Sequence, residues 1–109
     1  MDLNHTIGNI FDSIPDVFEN EIVDCLVQNE QLKIERIVSK GHTSPASGWY
    51  DQELNEWVIV IQGEAILVFE DGSEVVLTAG DHLSIPAHTK HRVKWTDFKQ
   101  ETVWIAVHH

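Results

Sequence analysis

Three residues in the C-terminal part of the chain stand in a fixed rhythm: Gly80, then five residues and Pro86, then His91 five positions further on. The spacing predicts a strand that ends, turns where proline fixes φ, and re-enters a sheet with the imidazole of His91 on one face. An imidazole held that way can ligate a metal or move a proton. Its partner lies upstream. Strand alternation puts Glu56 on one face with Val58 and Val60, and His91 on one face with Val93 and Trp95. If both faces point inward, a carboxylate and an imidazole meet inside an apolar interior. A lone buried glutamate is costly, so the pair needs a metal, a cation or a hydrogen-bond network.

The elements that must position these groups read as short strands. Residues 1 to 19 carry scattered apolar positions, with Pro15 interrupting any helix, and are expected to form an arm across a sheet. The runs from Glu21 and Gln31 flank a polar turn and predict a hairpin; a short helix over residues 16 to 27 is the competing reading. Lys40 to Gly48 is a loop by its Gly, Ser and Pro content, followed by Trp49 to Gln52 and a polar bend at Glu53 to Asn55. The run EWVIVIQGEAILVFE is β-branched, apolar on both faces and broken at Gly63, which predicts two strands or one bulged strand. Asp71-Gly72 is a hairpin signal. VVLTAGDHLSIP reads as one more short strand, and RVKW and TVWIAV as the last two. About eight short strands with little helix predict an all-β barrel or sandwich.

Composition narrows the function. A chain of 109 residues is one domain, and its net charge of −11, from 18 acidic and 7 basic residues, repels nucleic acid and anionic lipid. No partnership with nucleic acid or membrane is expected. Lys90, Arg92, Lys94 and Lys99 read as a solvated strand edge. The opening MDLNHTIGNIFD has no secretory pattern, and Cys25 is the only cysteine, so a reducing cytoplasm is expected and Cys25 reads as a small buried hydrophobe. The outward set Trp57, Ile59 and Ile61 needs cover from the arm or a second subunit, and a homodimer is expected. Nothing resembles a glycine-rich phosphate loop or a nucleophile elbow.

With both stretches in view, the chain resembles the small single-domain members of the cupin superfamily. Gly80, Pro86 and His91 match the second family motif, with His88 where glycine is usual. Glu56 to Gly63 matches the end of the first. The resemblance implies a double-stranded β-helix, or jelly roll, over one domain spanning 1–109, with an arm and edge strand over 1–30 and a barrel over 31–107. The site would lie inside the barrel. The family's first motif opens with two histidines, and here those positions hold Tyr50 and Gln52, or Trp49 and Asp51. The implied ligands for a divalent ion (Zn, Fe, Mn or Ni) are Glu56 and His91 with Gln52, or Asp51, as a weak oxygen donor. Tyr50 or His88 would move protons, and the chemistry would be dioxygenation, isomerisation or decarboxylation of a small organic molecule. The alternatives are a metal-free binding module and a homodimer with a vestigial pocket.

Other side chains divide between site and scaffold. His42 and His88 sit in loops near the implied barrel mouth and read either as extra nitrogen donors or as loop and turn residues. Trp49, Tyr50 and Trp95 read as packing or as the wall of a pocket for a small neutral or cationic ligand. His82 should face outward. His108 reaches the cavity only if the face of Trp104 and Ala106 points in.

Overall fold

The structure, a computed structural model, describes residues 6–45 and 47–109. The β-branched run broken by one glycine folds as β3 (Glu56–Gln62) and β4 (Glu64–Phe69), with β1 (Ile22–Gln28) and β2 (Lys33–Ser39) before them. After them come β5 (Glu74–Thr78), β6 (His82–Ile85), β7 (His91–Thr96) and β8 (Thr102–His108). They pair into two antiparallel sheets, one in the order β1-β2-β8-β3-β6 and the other β5-β4-β7. The two sheets form a jelly-roll barrel around Val58, Val60, Ala65, Leu67, Leu77, Ile85 and Trp104. No helix forms among the described residues, so the helix over 16–27 is replaced by the β1-β2 hairpin. Among the described residues no helix is long and apolar enough to cross a membrane.

Gly63 is the corner at which the chain leaves one sheet for the other. Its φ is +92°, and a Cβ there would stand 2.4 Å from Thr102 Oγ1. The close approach lets Thr102 Oγ1 bond with both the N–H and the carbonyl of Glu64, at 3.2 Å each. Glycine is required twice over, by the backbone angle and by the space. At the opposite face of β2, Arg36 is buried and its guanidinium donates to Asp24 and to the carbonyls of Ile10 and Asp12. These bonds fasten the arm to the sheet, as the residual charge of a buried guanidinium demands.

Two local expectations change, one on β5 and β6 and one at Cys25. VVLTAGDHLSIP forms two strands, β5 and β6, because Asp81 caps the turn between them by accepting from the N–H and hydroxyl of Thr78. Between the loop and β3, Tyr50 makes an isolated bridge to His91, with N–H to carbonyl distances of 2.8 and 3.2 Å. Cys25 is exposed rather than buried, because it lies on β1, an edge strand with no strand beyond it.

The corner generates a paired test. Gly63 and Gly72 share a left-handed backbone angle, +92° and +90°, but a Cβ at Gly72 meets nothing within 4 Å. Gly72→Ala should cost about 1 to 2 kcal/mol from the backbone alone, and Gly63→Ala roughly 1 to 3 kcal/mol more from overpacking against Thr102. Urea denaturation midpoints of the two variants check this, and equal losses would remove the close approach as the reason.

Candidate functional site

The strand register gathers charge at one end of an apolar barrel. Glu56 opens β3 and faces His108 on β8; His91 opens β7, lies opposite Phe69 on β4 and bridges to Tyr50. His91 is only 5% exposed. Its Nδ1 lies 2.7 Å from the carbonyl of Thr89, which can only accept, so Nδ1 carries a proton. The other nitrogen, Nε2, faces Glu56 Oε1 at 3.3 Å. Burial alone would push this imidazole's pKa down; hydrogen bonding to Glu56 and to the Thr89 carbonyl, with the charge of Glu56, outweighs it and raises the pKa above the ordinary 6.5.

The pair looks into a cavity of about 210 Å³. Val23, Ile37, Val58, Leu67, Ile85 and Val93 form its apolar walls, and Tyr50, Gln52, Glu56, His91 and Trp104 supply polar atoms. A second His-Glu pair shares the space: His108 Nε2 lies 2.9 Å from Glu35 Oε1, and Glu35 also pairs with Lys33 at 3.2 Å. Glu21 lines the cavity too and accepts from Ser39 Oγ at 2.7 Å. Two buried atoms there have no hydrogen-bond partner among the described residues, Gln52 Oε1 and the indole N–H of Trp104.

Of the residues picked out by sequence, Tyr50, Gln52, Glu56 and His91 line this cavity, and His88 does not. His88 takes a left-handed φ of 61°, which turns its ring outward to Asp51 Oδ1 at 2.8 Å and leaves the side chain 65% exposed. Asp51, as its partner, is likewise absent from the cavity wall. His42 is occupied by the N–H of Lys40 and the carbonyl of Glu19 and stacks on Phe18. His82 is exposed and packs against Trp57 on the outer side. Trp95 does not share the face of His91, because β7 has an extra residue, Lys94, where Leu67 pairs with Val93 and Ile66 with Trp95. Trp49 lies under the guanidinium of Arg92.

Sequence reading missed Glu35 and Glu21 and gave His108 only conditionally. The signal for His108 was its alternation with Trp104 and Ala106, both buried. For Glu35 alternation pointed outward, and nothing local corrects it.

The donors present form a partial metal set. Among the described residues no three His, Cys, Asp or Glu side chains stand together as a metal site. The nearest approach adds an amide: His91 Nε2, a Glu56 oxygen and the unpartnered Gln52 Oε1 offer one nitrogen and two oxygens to the same cavity. That donor chemistry suits a loosely held first-row ion better than a closed structural site.

A jelly-roll barrel with acid and imidazole side chains converging on an interior cavity defines a class of small β-barrel pocket proteins. The cupin domain family matches residues 36–108, and the chain belongs to that family. Among solved structures, a protein of Ralstonia eutropha JMP134 named as a candidate mannose-6-phosphate isomerase is 44% identical, with a TM-score of 0.90 over 94% of this chain and 96% of that one. A cupin superfamily protein of Desulfitobacterium hafniense DCB-2 is 18% identical, with a TM-score of 0.71 over 87% and 82% of the two chains. The iron(II) form of HppE in complex with substrate is 19% identical, with a TM-score of 0.67 over 81% of this chain and 53% of that one. The last two share the fold. No match was found among the curated proteins.

Because the folded pKa of His91 is raised, its pair with Glu56 contributes stability that is fully present below the unfolded value of 6.5 and is lost as pH rises through the folded value. The melting-temperature gap between wild type and His91→Gln should therefore narrow as pH rises above about 6.5. In Glu56→Gln the carboxylate charge that raises the pKa is gone, and an NMR titration of His91 should show a midpoint lower than in wild type. An unchanged midpoint would deny the coupling.

Proposed function

We propose that the barrel binds one small organic molecule, neutral or cationic, and that His91 and Glu56 exchange a proton with it. The observation that carries this reading is the orientation of the imidazole. Thr89 holds Nδ1 and thereby leaves Nε2, next to Glu56, as the nitrogen that meets the cavity. A cationic His91 donates its Nε2 proton to an oxygen or nitrogen of the ligand, and the Glu56 carboxylate takes a proton from a neighbouring position. The two transfers balance, and together they describe an isomerisation by proton shift. Apolar walls strengthen the electrostatics of both steps. Tyr50 lies at the mouth with its ring centroid 5.8 Å from that of His91, where it can cover the ligand.

The unpartnered Gln52 oxygen favours a second reading, a divalent ion (Zn, Fe, Mn or Ni) held by Gln52, Glu56 and His91. Such an ion, when bound, supplies a Lewis acid with open positions. The residues' own part is then to hold it: His91 through Nε2, with Thr89 fixing the tautomer, and Glu56 through its carboxylate.

Elemental analysis of purified protein, grown with Zn, Fe, Mn and Ni all supplied and measured before and after chelation, separates the two. The acid-base reading expects metal far below one ion per chain and a melting temperature indifferent to chelation. Near-stoichiometric metal, retained in His82→Ala and lost in His91→Ala, would replace it with the metal reading.

A further inference from the structure

The cavity's charge is unevenly compensated. Among the described residues three carboxylates line it, Glu21, Glu35 and Glu56, and no lysine or arginine does. Glu56 has His91, and Glu35 has His108 and, from outside the lining, Lys33. Glu21 has only the neutral hydroxyl of Ser39 among the described residues. It also borders, with Tyr50, the small side pocket that contains Thr43 and Ser44, so Glu21 and Tyr50 mark one end of the cavity. A carboxylate beside an aromatic ring is a site for an organic cation. An anion there would meet like charge and lose its hydration without return.

A second, independent observation concerns hydrogen bonds. Trp104 is 4% exposed, lines the cavity, and has a buried indole N–H without a partner; Gln52 has a buried carbonyl oxygen without one. Buried polar groups are paired in almost all folded proteins. The missing partners are one acceptor for Trp104 and one donor for Gln52, and a hydroxyl or a primary amide provides both kinds. At ~30 Å³ for each water-sized group, 210 Å³ holds roughly seven heavy atoms.

Resting on the pocket reading above, we propose that the ligand class is a small aliphatic ammonium compound with a hydroxyl or amide group. The ammonium sits at Glu21 and Tyr50, the methylenes lie along the apolar walls, and the polar group meets Trp104 and Gln52. The phosphate in the name of the Ralstonia protein would meet no lysine or arginine in this lining, only two imidazoles already paired with Glu56 and Glu35.

Calorimetry on wild-type protein with aminopentanol, pentanediol and mannose 6-phosphate tests the proposal, with the indole N–H resonance of Trp104 followed by NMR. Aminopentanol should bind at least about tenfold more tightly than pentanediol, which has the same length and no charge, and should shift the Trp104 resonance; mannose 6-phosphate should not bind. Glu21→Gln, at a half-buried position, should erase the preference for the amine while pentanediol binding is kept. Equal affinity for amine and diol, tighter binding of the phosphate, or an unmoved Trp104 resonance would overturn the ligand class and leave the pocket reading standing. Failure of all three compounds to bind would overturn both.

Discussion

A carboxylate carried into an apolar barrel is the constraint on which the surrounding structure depends. Glu56 is placed inside by the same alternation that buries Val58 and Val60, and it is tolerable there because His91 meets it at 3.3 Å. That meeting depends on the imidazole's tautomer, which the Thr89 carbonyl fixes. The carbonyl in turn depends on the turn that follows Pro86, where Thr89 bonds back to the proline carbonyl and His88 takes a left-handed angle. A non-glycine residue in that conformation costs about 1 kcal/mol or more. The pair with Asp51 and the bond from His88 N–H to the Gln52 carbonyl at 2.8 Å offset it. His88 thus works from outside the barrel, tying the loop that carries Gln52 to the turn that orients His91.

Irregularities in the strands decide which side chains can take part. The extra residue in β7 keeps His91 and Val93 inward and then brings Thr96, rather than Trp95, to the inner side opposite Ala65. Without that bulge an indole would point into the barrel near Ala65, where Thr96 now stands. A matching shift in β3, where Val60 pairs with Trp104 and Gln62 with Val103, precedes the Gly63 corner and lets Gln62 reach the Glu101 carbonyl at 3.0 Å. The corner itself leaves β3 in one sheet and β4 in the other, so both walls of the cavity derive from one continuous run of sequence.

Much of this was legible in the residues. β-branched runs punctuated by glycine and Asp-Gly gave the strands, and the spacing of Gly80, Pro86 and His91 gave the turn, because each of those signals is local. Glu56 and His91 were legible for the same reason. Glu35 was not. In β2 the polar position Glu35 faces the cavity with Ile37, while Arg36 is buried on the opposite side under the arm. A polar residue in an alternating strand reads as outward, and only the pairing of β2 with β8, which sets Glu35 opposite Ala106 and Lys33 opposite His108, shows that it points in. Long-range register and bulges are the information that a local period does not contain.

The consequence for chemistry lies in what stands where the family's paired histidines would be. Tyr50 and Gln52 offer a ring, a hydroxyl and an amide in place of two imidazole nitrogens, so the cavity loses metal donors and gains hydrogen-bonding groups at the same positions. The charges that remain are arranged as pairs, His91 with Glu56 and His108 with Glu35, in which each imidazole is held by a carboxylate inside low-dielectric walls. Two such pairs separated by Glu56 and His108 facing each other across β3 and β8 form a connected polar strip along an otherwise apolar wall. A strip of this kind discriminates by charge and by the placing of donors and acceptors, since an apolar wall accepts any small chain but a misplaced polar atom beside the strip is left unpaired at a cost of about 1 to 3 kcal/mol. For the ligand class proposed above, selectivity would rest on Glu21, Gln52 and Trp104: Glu21 accepts from the neutral Ser39 hydroxyl, and the buried Gln52 Oε1 and Trp104 N–H have no partner among the described residues.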